Sequence, residues 1–182
     1  YQPTLKRSEH YEAIFSEARA EFRLRKHGLD THTVIAVSPE DDIELRRITV
    51  TNRSRTRREV DVTSYAEVVL ASPAADAMHP AFSNLFVQTE IIRERQAILC
   101  ARRPRSVDEH TPWMFHLTAV HGAELGETSY ETDRMQFIGR GNTVADPQAM
   151  SGAAALSGSQ GSVLDPIVAI RHRITLDPNA SV

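Results

Sequence analysis

Hydrophobic and polar residues alternate with period two along most of this chain, the pattern of strands with one buried face and one wet face. From Ala18 to Arg25, the residues Ala18, Ala20, Phe22 and Leu24 fall on one side, and Arg19, Glu21, Arg23 and Arg25 on the other. The composition of this stretch also suits a helix. The period decides for a strand, because His27-Gly28-Leu29-Asp30 reads as a turn into a second alternating run, Thr31 to Ser38. The two runs predict a hairpin. Ser38-Pro39-Glu40-Asp41-Asp42 is a turn by its chemistry, since proline presets φ and short polar side chains bond the local backbone. Ile43 to Asn52 is the next strand. Its apolar phase slips between Leu45 and Ile48, which predicts a β-bulge near Arg46-Arg47. After a turn at Asn52-Arg53-Ser54-Arg55, Glu59 to Leu70 reads as one long strand, with Val60, Val62, Ser64, Ala66, Val68 and Leu70 on one face.

Ala71 to Ser83 breaks the pattern. It carries Pro73, Pro80, Asp76 and His79 and predicts a long loop or a short helix, the kind of segment in which function concentrates. Strands resume at Leu85 to Ile92, Gln96 to Ala101 and Trp113 to His121, with the basic loop Arg102-Arg103-Pro104-Arg105 among them. Trp113, Phe115, Leu117 and Ala119 share a face and read as core. Gly126 to Met150 is irregular. Ser151 to Ser162, rich in Ser, Gly and Ala, predicts a mobile loop. The last strand is Val163 to Leu176, with Val168, Ile170, His172, Ile174 and Leu176 along one face. About nine or ten strands without a long helix predict an all-β fold, an antiparallel sandwich or barrel. Residues 1–182 read as a single domain with no internal repeat.

Composition narrows the function classes. Apolar residues make up 41% and charged residues 25% of the 182 residues, as in an ordinary globular chain. The formal net charge of −3 argues against a dedicated nucleic-acid binder. A single cysteine, Cys100, rules out an internal disulfide and a cysteine-rich zinc site, and its apolar, strand-like surroundings predict a buried, inert thiol. Asn52-Arg53-Ser54 and Asn179-Ala180-Ser181 match the glycosylation sequon, which carries little weight without a secretory signal. No apolar run approaches the ~20 residues of a membrane span. With no signal peptide and no initiator Met, both ends read as boundaries of a piece of a longer protein.

The search for chemistry yields candidates rather than a motif. There is no G-x-S-x-G elbow, no H-E-x-x-H and no H-x-H, and His116 and His121 fall on opposite faces of a regular strand. No catalytic residue, metal site or cofactor is expected. Phe137-Ile138-Gly139-Arg140-Gly141-Asn142 contains G-x-G without the rest of a dinucleotide fingerprint. Arg140 there either binds phosphate or sugar hydroxyls or simply sits in a tight turn. Glu67 lies on the less apolar face of its strand, lining a groove or open to water. Sugar rings stack on aromatic faces, and Phe82, beside Ser83-Asn84, is a better platform than Trp113. The arginines flanking turns, at 53, 55, 57 and 58 and at 102, 103 and 105, are solvated or meet an acidic partner domain.

Several strings together resemble a known family. They are Tyr11-Glu12-Ala13-Ile14-Phe15-Ser16-Glu17-Ala18-Arg19-Ala20-Glu21-Phe22, then Ser38 to Arg47 with Thr51-Asn52-Arg53-Ser54, and Glu67-Val68-Val69-Leu70. His79-Pro80-Ala81-Phe82-Ser83-Asn84-Leu85-Phe86 and Asp133-Arg134 leading to Phe137-Ile138-Gly139-Arg140 complete the set. The chain is similar over nearly its whole length to the family 36 glycosyltransferase-type β-sandwich domain of the inverting glycoside phosphorylases, in particular that of cyclic β-1,2-glucan synthases. The resemblance implies a large super-sandwich, galactose-mutarotase-like, beside an (α/α)₆ barrel that carries the general acid and most of the phosphate site. It implies a parent that exchanges a β-glucosidic bond with phosphate, where one protein acid suffices because phosphate is itself the nucleophile. It further implies a membrane-bound parent with this soluble part at the cytoplasmic face of the inner membrane. The expected partners are β-glucan or gluco-oligosaccharide, the catalytic barrel, and a second copy in a homodimer, with no nucleic acid. His79, Phe82, Asn84, Glu67 and Arg140 are the expected substrate-side positions. Two rival readings remain open: an autonomous glycan-binding module with an exposed aromatic platform, and a purely architectural dimerisation domain with a large apolar patch. An independent sugar-modifying enzyme would need a His–carboxylate pair in one cleft.

Overall fold

The computed structural model describes residues 6–182. Tyr1 to Leu5, and with them the expectation about how the chain begins, lie outside the described residues. The described chain divides into two compact units, one of residues 6–60, 120–125 and 174–182, the other of 61–119 and 126–173.

The first unit holds a four-stranded antiparallel meander, β1 (His10–Ser16), β2 (Arg19–Lys26), β3 (Leu29–Val37) and β4 (Glu44–Asn52). The expected hairpin is β2–β3. Lys26 pairs with Leu29, so the loop is the dipeptide His27-Gly28, with φ of 50° and 75°. Positive φ at both central residues twists the turn to match its strands, and glycine adopts it without steric cost. The Ser38 turn also forms, its hydroxyl accepting from the backbone N–H of Glu40 and Asp41. The alternation does not single out β1, which pairs with β2 from His10↔Arg25 to Ser16↔Arg19.

The expected bulge is absent. Pairing of β3 with β4 runs unbroken from Leu29↔Asn52 to Val37↔Glu44. The apolar phase slip needs no correction, because Leu45 and Ile48 are both exposed and only the far end of β4, from Val50 to Asn52, is buried. A face that no core demands does not fix register.

Asn52 shows what holds that end. It is 0% exposed, so its sequon is closed to a glycan in the folded chain. Its amide donates to the carbonyls of Thr56 at 2.8 Å and Leu176 at 3.0 Å, and its Oδ1 accepts from the N–H and hydroxyl of Ser54. The chain's last residues lie alongside, Val50 and Val182 exchanging both backbone bonds. Nearby, Asp30 takes a two-pronged pair from Arg25, at 2.6 and 3.0 Å, and a third bond from Arg53.

The remaining elements, in chain order, are β5 (Arg58–Thr63), β6 (Ala66–Glu67), α1 (Pro73–Met78), α2 (Pro80–Asn84), β7 (Val87–Ile92), β8 (Ala97–Arg102), β9 (Trp113–Leu117), β10 (Glu124–Asp133), α3 (Arg134–Ile138) and β11 (Pro166–Leu176). β11 lies between β10 and β5, and β6 also pairs with it. The long strand expected from Glu59 to Leu70 is therefore two strands on one partner. The break falls where the Ser64 hydroxyl, rather than a ladder group, accepts from the Ile170 N–H at 3.1 Å. Side-chain bonding of this kind competes with the regular ladder.

β7, β8 and β9 form a separate three-stranded sheet. Its inner face supplies Val87, Ile98 and Cys100 to a core completed by Val68, Tyr130, Val168 and Ile170. Burial pushes the Cys100 thiol up to about 12, the inert thiol expected from its setting. The outer face corrects a sequence expectation. Trp113 is 67% exposed, and Phe115 and Leu117 are also exposed, because β9 turns Met114 and His116 inward instead. Ala71 to Ser83 holds α1 and all but the last residue of α2, each opened by a proline at its first position, where a missing N–H costs nothing. The Ser151–Ser162 stretch is tied down rather than loose. Arg173 and Arg171 donate to the carbonyls of Ala153 and Ala154, Gly158 N–H bonds Tyr130, and Gly161 bridges Thr89.

Two stability measurements follow. Asn52→Ala strips a partner from the buried Leu176 carbonyl and should cost about 3 kcal/mol in urea unfolding. Asp30 is held down to about 2 by its bond with Arg25, against burial and with help from Arg53. It stabilises the fold above its ordinary pKa of 3.8, and that contribution is lost as pH falls through about 2. Asp30→Asn should be less stable than the parent at neutral pH, with the gap closing over that acid window.

Candidate functional site

The junction of β10, α3 and the approach to β11 forms a cleft of about 380 Å³, lined by Asp133, Arg134, Gly139, Arg140, Leu164 and Asp165 among others. Local chemistry makes this junction. Asp133 caps α3, its carboxylate accepting from Met135 N–H at 2.8 Å. Phe137 and Ile138 anchor the helix against Ile167 and Ala169 of β11, and Tyr65 lies 5.0 Å from the Phe137 ring. The helix stops at Gly139, with φ of 83°, where a Cβ would come within 2.7 Å of the Gln148 Cβ. Only glycine fits there, and the sharp exit delivers Arg140 to the rim. Arg140 is exposed and has no ion pair among the described residues.

A polar chain runs along the wall. The Tyr65 hydroxyl donates to Glu67 at 3.1 Å, and Arg134 Nε donates to the same carboxylate oxygen at 3.2 Å. Arg134 Nη1 lies 3.7 Å from Asp165 Oδ2, and Asn84 donates to Asp165 Oδ1 at 3.1 Å. Burial, reinforced by Glu67, pushes the Tyr65 hydroxyl up to about 12, so it is a donor at any physiological pH. Burial also raises Asp165, with Glu67 adding and Arg134 and Asn84 opposing. Partial burial opposes the charge on the Arg134 guanidinium, but its bonds with Tyr65 and Glu67 together raise its pKa above the ordinary arginine value. The cleft thus offers an unpaired guanidinium and a line of fixed donors and acceptors. Along this row Arg134 engages the carboxylates of Glu67 and Asp165, and Asp133 caps α3.

The five sequence candidates divide. Arg140 lines the cleft, while Glu67 and Asn84 reach it through Arg134 and Asp165. His79 and Phe82 sit on the helix pair that precedes Asn84. His79 joins α1 to α2, and Phe82, 58% exposed, stands edge-on to Phe86 at 5.3 Å. Asp165 was not among the candidates. Its one signal in the sequence is a carboxylate directly before Pro166 at the head of an apolar strand.

Residues 1–182 match the family described as the glycosyl hydrolase 94 supersandwich domain. The chain belongs to this family. The resemblance drawn from the sequence strings and the all-β fold are both borne out. The supersandwich domain is 37% identical, over 168 residues, to the cyclic β-(1,2)-glucan synthase NdvB of Rhizobium meliloti (strain 1021). That alignment covers 92% of this chain and 6% of the relative. A solabiose phosphorylase of Paenibacillus borealis is 26% identical over 156 residues, covering 85% of this chain and 19% of the relative. The supersandwich domain therefore spans a small part of the length of both curated relatives. Among its described residues, no helix is long and apolar enough to cross a membrane.

Asp165→Asn tests the electrostatics of the wall. A carboxyl raised by burial destabilises the fold once ionised, so stability is lost as pH rises through its titration. Urea midpoints should show the parent losing ground to Asp165→Asn from acid to neutral pH. A pH-independent difference would contradict the assignment.

Proposed function

We propose that this domain is a non-catalytic, carbohydrate-handling scaffold of a β-glucan synthase or glycoside phosphorylase, bordering the sugar path of an (α/α)₆ catalytic barrel in the same protein. The cleft at Arg140 carries this reading. It presents a free guanidinium beside a pre-bonded row of hydroxyl-binding groups, with Asn84 linking it to the α1–α2 segment. Membership of the glycosyl hydrolase 94 supersandwich family supports the sugar as ligand. The engagement of Glu67 and Asp165 by Arg134 favours positioning over acid catalysis. In this reading the parent is membrane-bound, with the domain at the cytoplasmic face, and its substrate is a β-glucan or gluco-oligosaccharide.

A specific observation favours an architectural role alongside it. One face of the β1–β4 sheet is apolar by register and leaves Tyr11, Phe15, Val37 and Ile48 exposed. Such a face suits a protein contact, including a second copy.

The test is a titration of the chain with β-1,2-linked gluco-oligosaccharides, followed by backbone amide shifts. Saturable shifts at 76–84 and 137–142 are expected, and Arg140→Ala should weaken them several-fold. Silence of both segments at millimolar sugar would overturn sugar handling by the Arg140 cleft and favour the architectural role for this part of the domain.

A further inference from the structure

The outer face of the β7–β9 sheet carries a second concavity that the cleft does not explain. Register places Trp113, Ala101 and Gln88 in one row across the three strands, and Phe115, Leu99 and Glu90 in the next. Neighbouring strands lie about 4.8 Å apart, so the indole and the Gln88 amide stand roughly 10 Å apart across the short Ala101 methyl. The result is a trough of about 350 Å³ with Ala101 and Leu99 as its floor, Trp113 on one side, Gln88 and Glu90 on the other, and Thr89 and Gly161 beside them. That volume falls at the lower end of small-ligand sites, roughly 300–1,000 Å³.

Thr89 is engaged with Thr132 and Gly161, but the polar groups that face each other across the trough are idle. Glu90 and the Trp113 indole N–H have no hydrogen bond or ion pair among the described residues, and the Gln88 amide reaches only Ser162 Oγ at 3.5 Å. We propose that this trough is a pyranose-binding site, in which Trp113 takes the apolar face of a sugar ring while Glu90 and Gln88 take its hydroxyls. An apolar protein segment laid here would bury the Glu90 carboxylate without a partner, which is strongly unfavourable. An anion would meet a like charge. A neutral polyol supplies both a flat C–H face for the indole and O–H donors for the carboxylate. The trough shares its ligand class with the cleft at Arg140 but none of its residues.

Trp113 is the sole tryptophan of the chain, so its fluorescence reports on the trough alone. Titration with linear β-1,2-linked gluco-oligosaccharides should give a saturable shift of emission to shorter wavelength. Glu90→Ala should weaken it about tenfold, the loss of one hydrogen bond to a charged group. Ala101→Leu fills the floor and should abolish it, and Arg140→Ala should leave it unchanged. Thermal unfolding of each variant checks that the sheet is intact. Flat emission at millimolar sugar would overturn the proposal, and amide shifts at the Arg140 cleft in the same titration would show that the cleft reading survives. A response that persists in both Glu90→Ala and Ala101→Leu would also overturn it. So would emission already short in wavelength without sugar and moving longer on dilution, the sign of a second copy covering the face.

Discussion

β11 has no wet face, and the unit around it is arranged to satisfy that condition. Every residue from Pro166 to His172 is buried. Val168 and Ile170 enter one apolar cluster, and Ile167 and Ala169 enter the other. A strand buried on both faces must have its backbone paired on both edges, and β10, β5 and β6 do this. Its polar side chains are equally constrained. Arg171 gives its protons to Thr63 and to the carbonyls of Ala154 and Ala149. His172 bonds both Thr118 and Thr128, and burial lowers its pKa, so the ring is neutral at physiological pH. An apolar strand carrying two such residues tolerates only the arrangement that completes their bonds.

The candidate cleft inherits its rigidity from this strand. Leu164 and Asp165 line it directly before β11 begins, and α3 is pinned to β11 by Phe137 and Ile138. Arg134 then links the two sides, accepting no freedom of its own once Glu67 and Asp165 hold it. Groups fixed in this way lose little entropy when a ligand arrives. The outer sheet works differently. β7 to β9 spend one face on the core, and the face left over keeps its aromatic residues in water.

Period-two patterning was enough to find the hairpin at His27-Gly28 and the all-β class, while turn chemistry marked the Ser38 turn and an apolar setting marked the inert Cys100. It failed where it was asked which face is covered. Trp113, Phe115 and Leu117 alternate like core residues, yet the inward face of β9 carries Met114 and His116. Alternation records that two faces differ, while coverage depends on what the rest of the chain places above them. The missing bulge has the same cause, since Leu45 and Ile48 face no core. The break at Ser64 was hidden because a hydroxyl can stand in for a ladder group without leaving a mark in the pattern. In the site, Gly139-Arg140-Gly141 was legible because a positive-φ exit requires glycine. Asp165 and its bonds to residues 31 and 81 positions away were not, since nothing local to Asp165 signals them.

The Ser64–Ile170 bond closes a separation of 106 residues. Within the β1–β4 meander, by contrast, each strand pairs with its neighbour in sequence, and only the end of β4 also meets the distant last residues. Local pairings form fast, while distant ones wait for a costly loop closure. On a ribosome the difference is enforced, because β5 and β6 emerge long before the strand that pairs with them. Until then they present unpaired edges and the apolar side chains of Val60 and Val62 to solvent. The domain therefore has an early stretch of its synthesis in which aggregation competes with folding, and the arrival of β11 brings that stretch to an end.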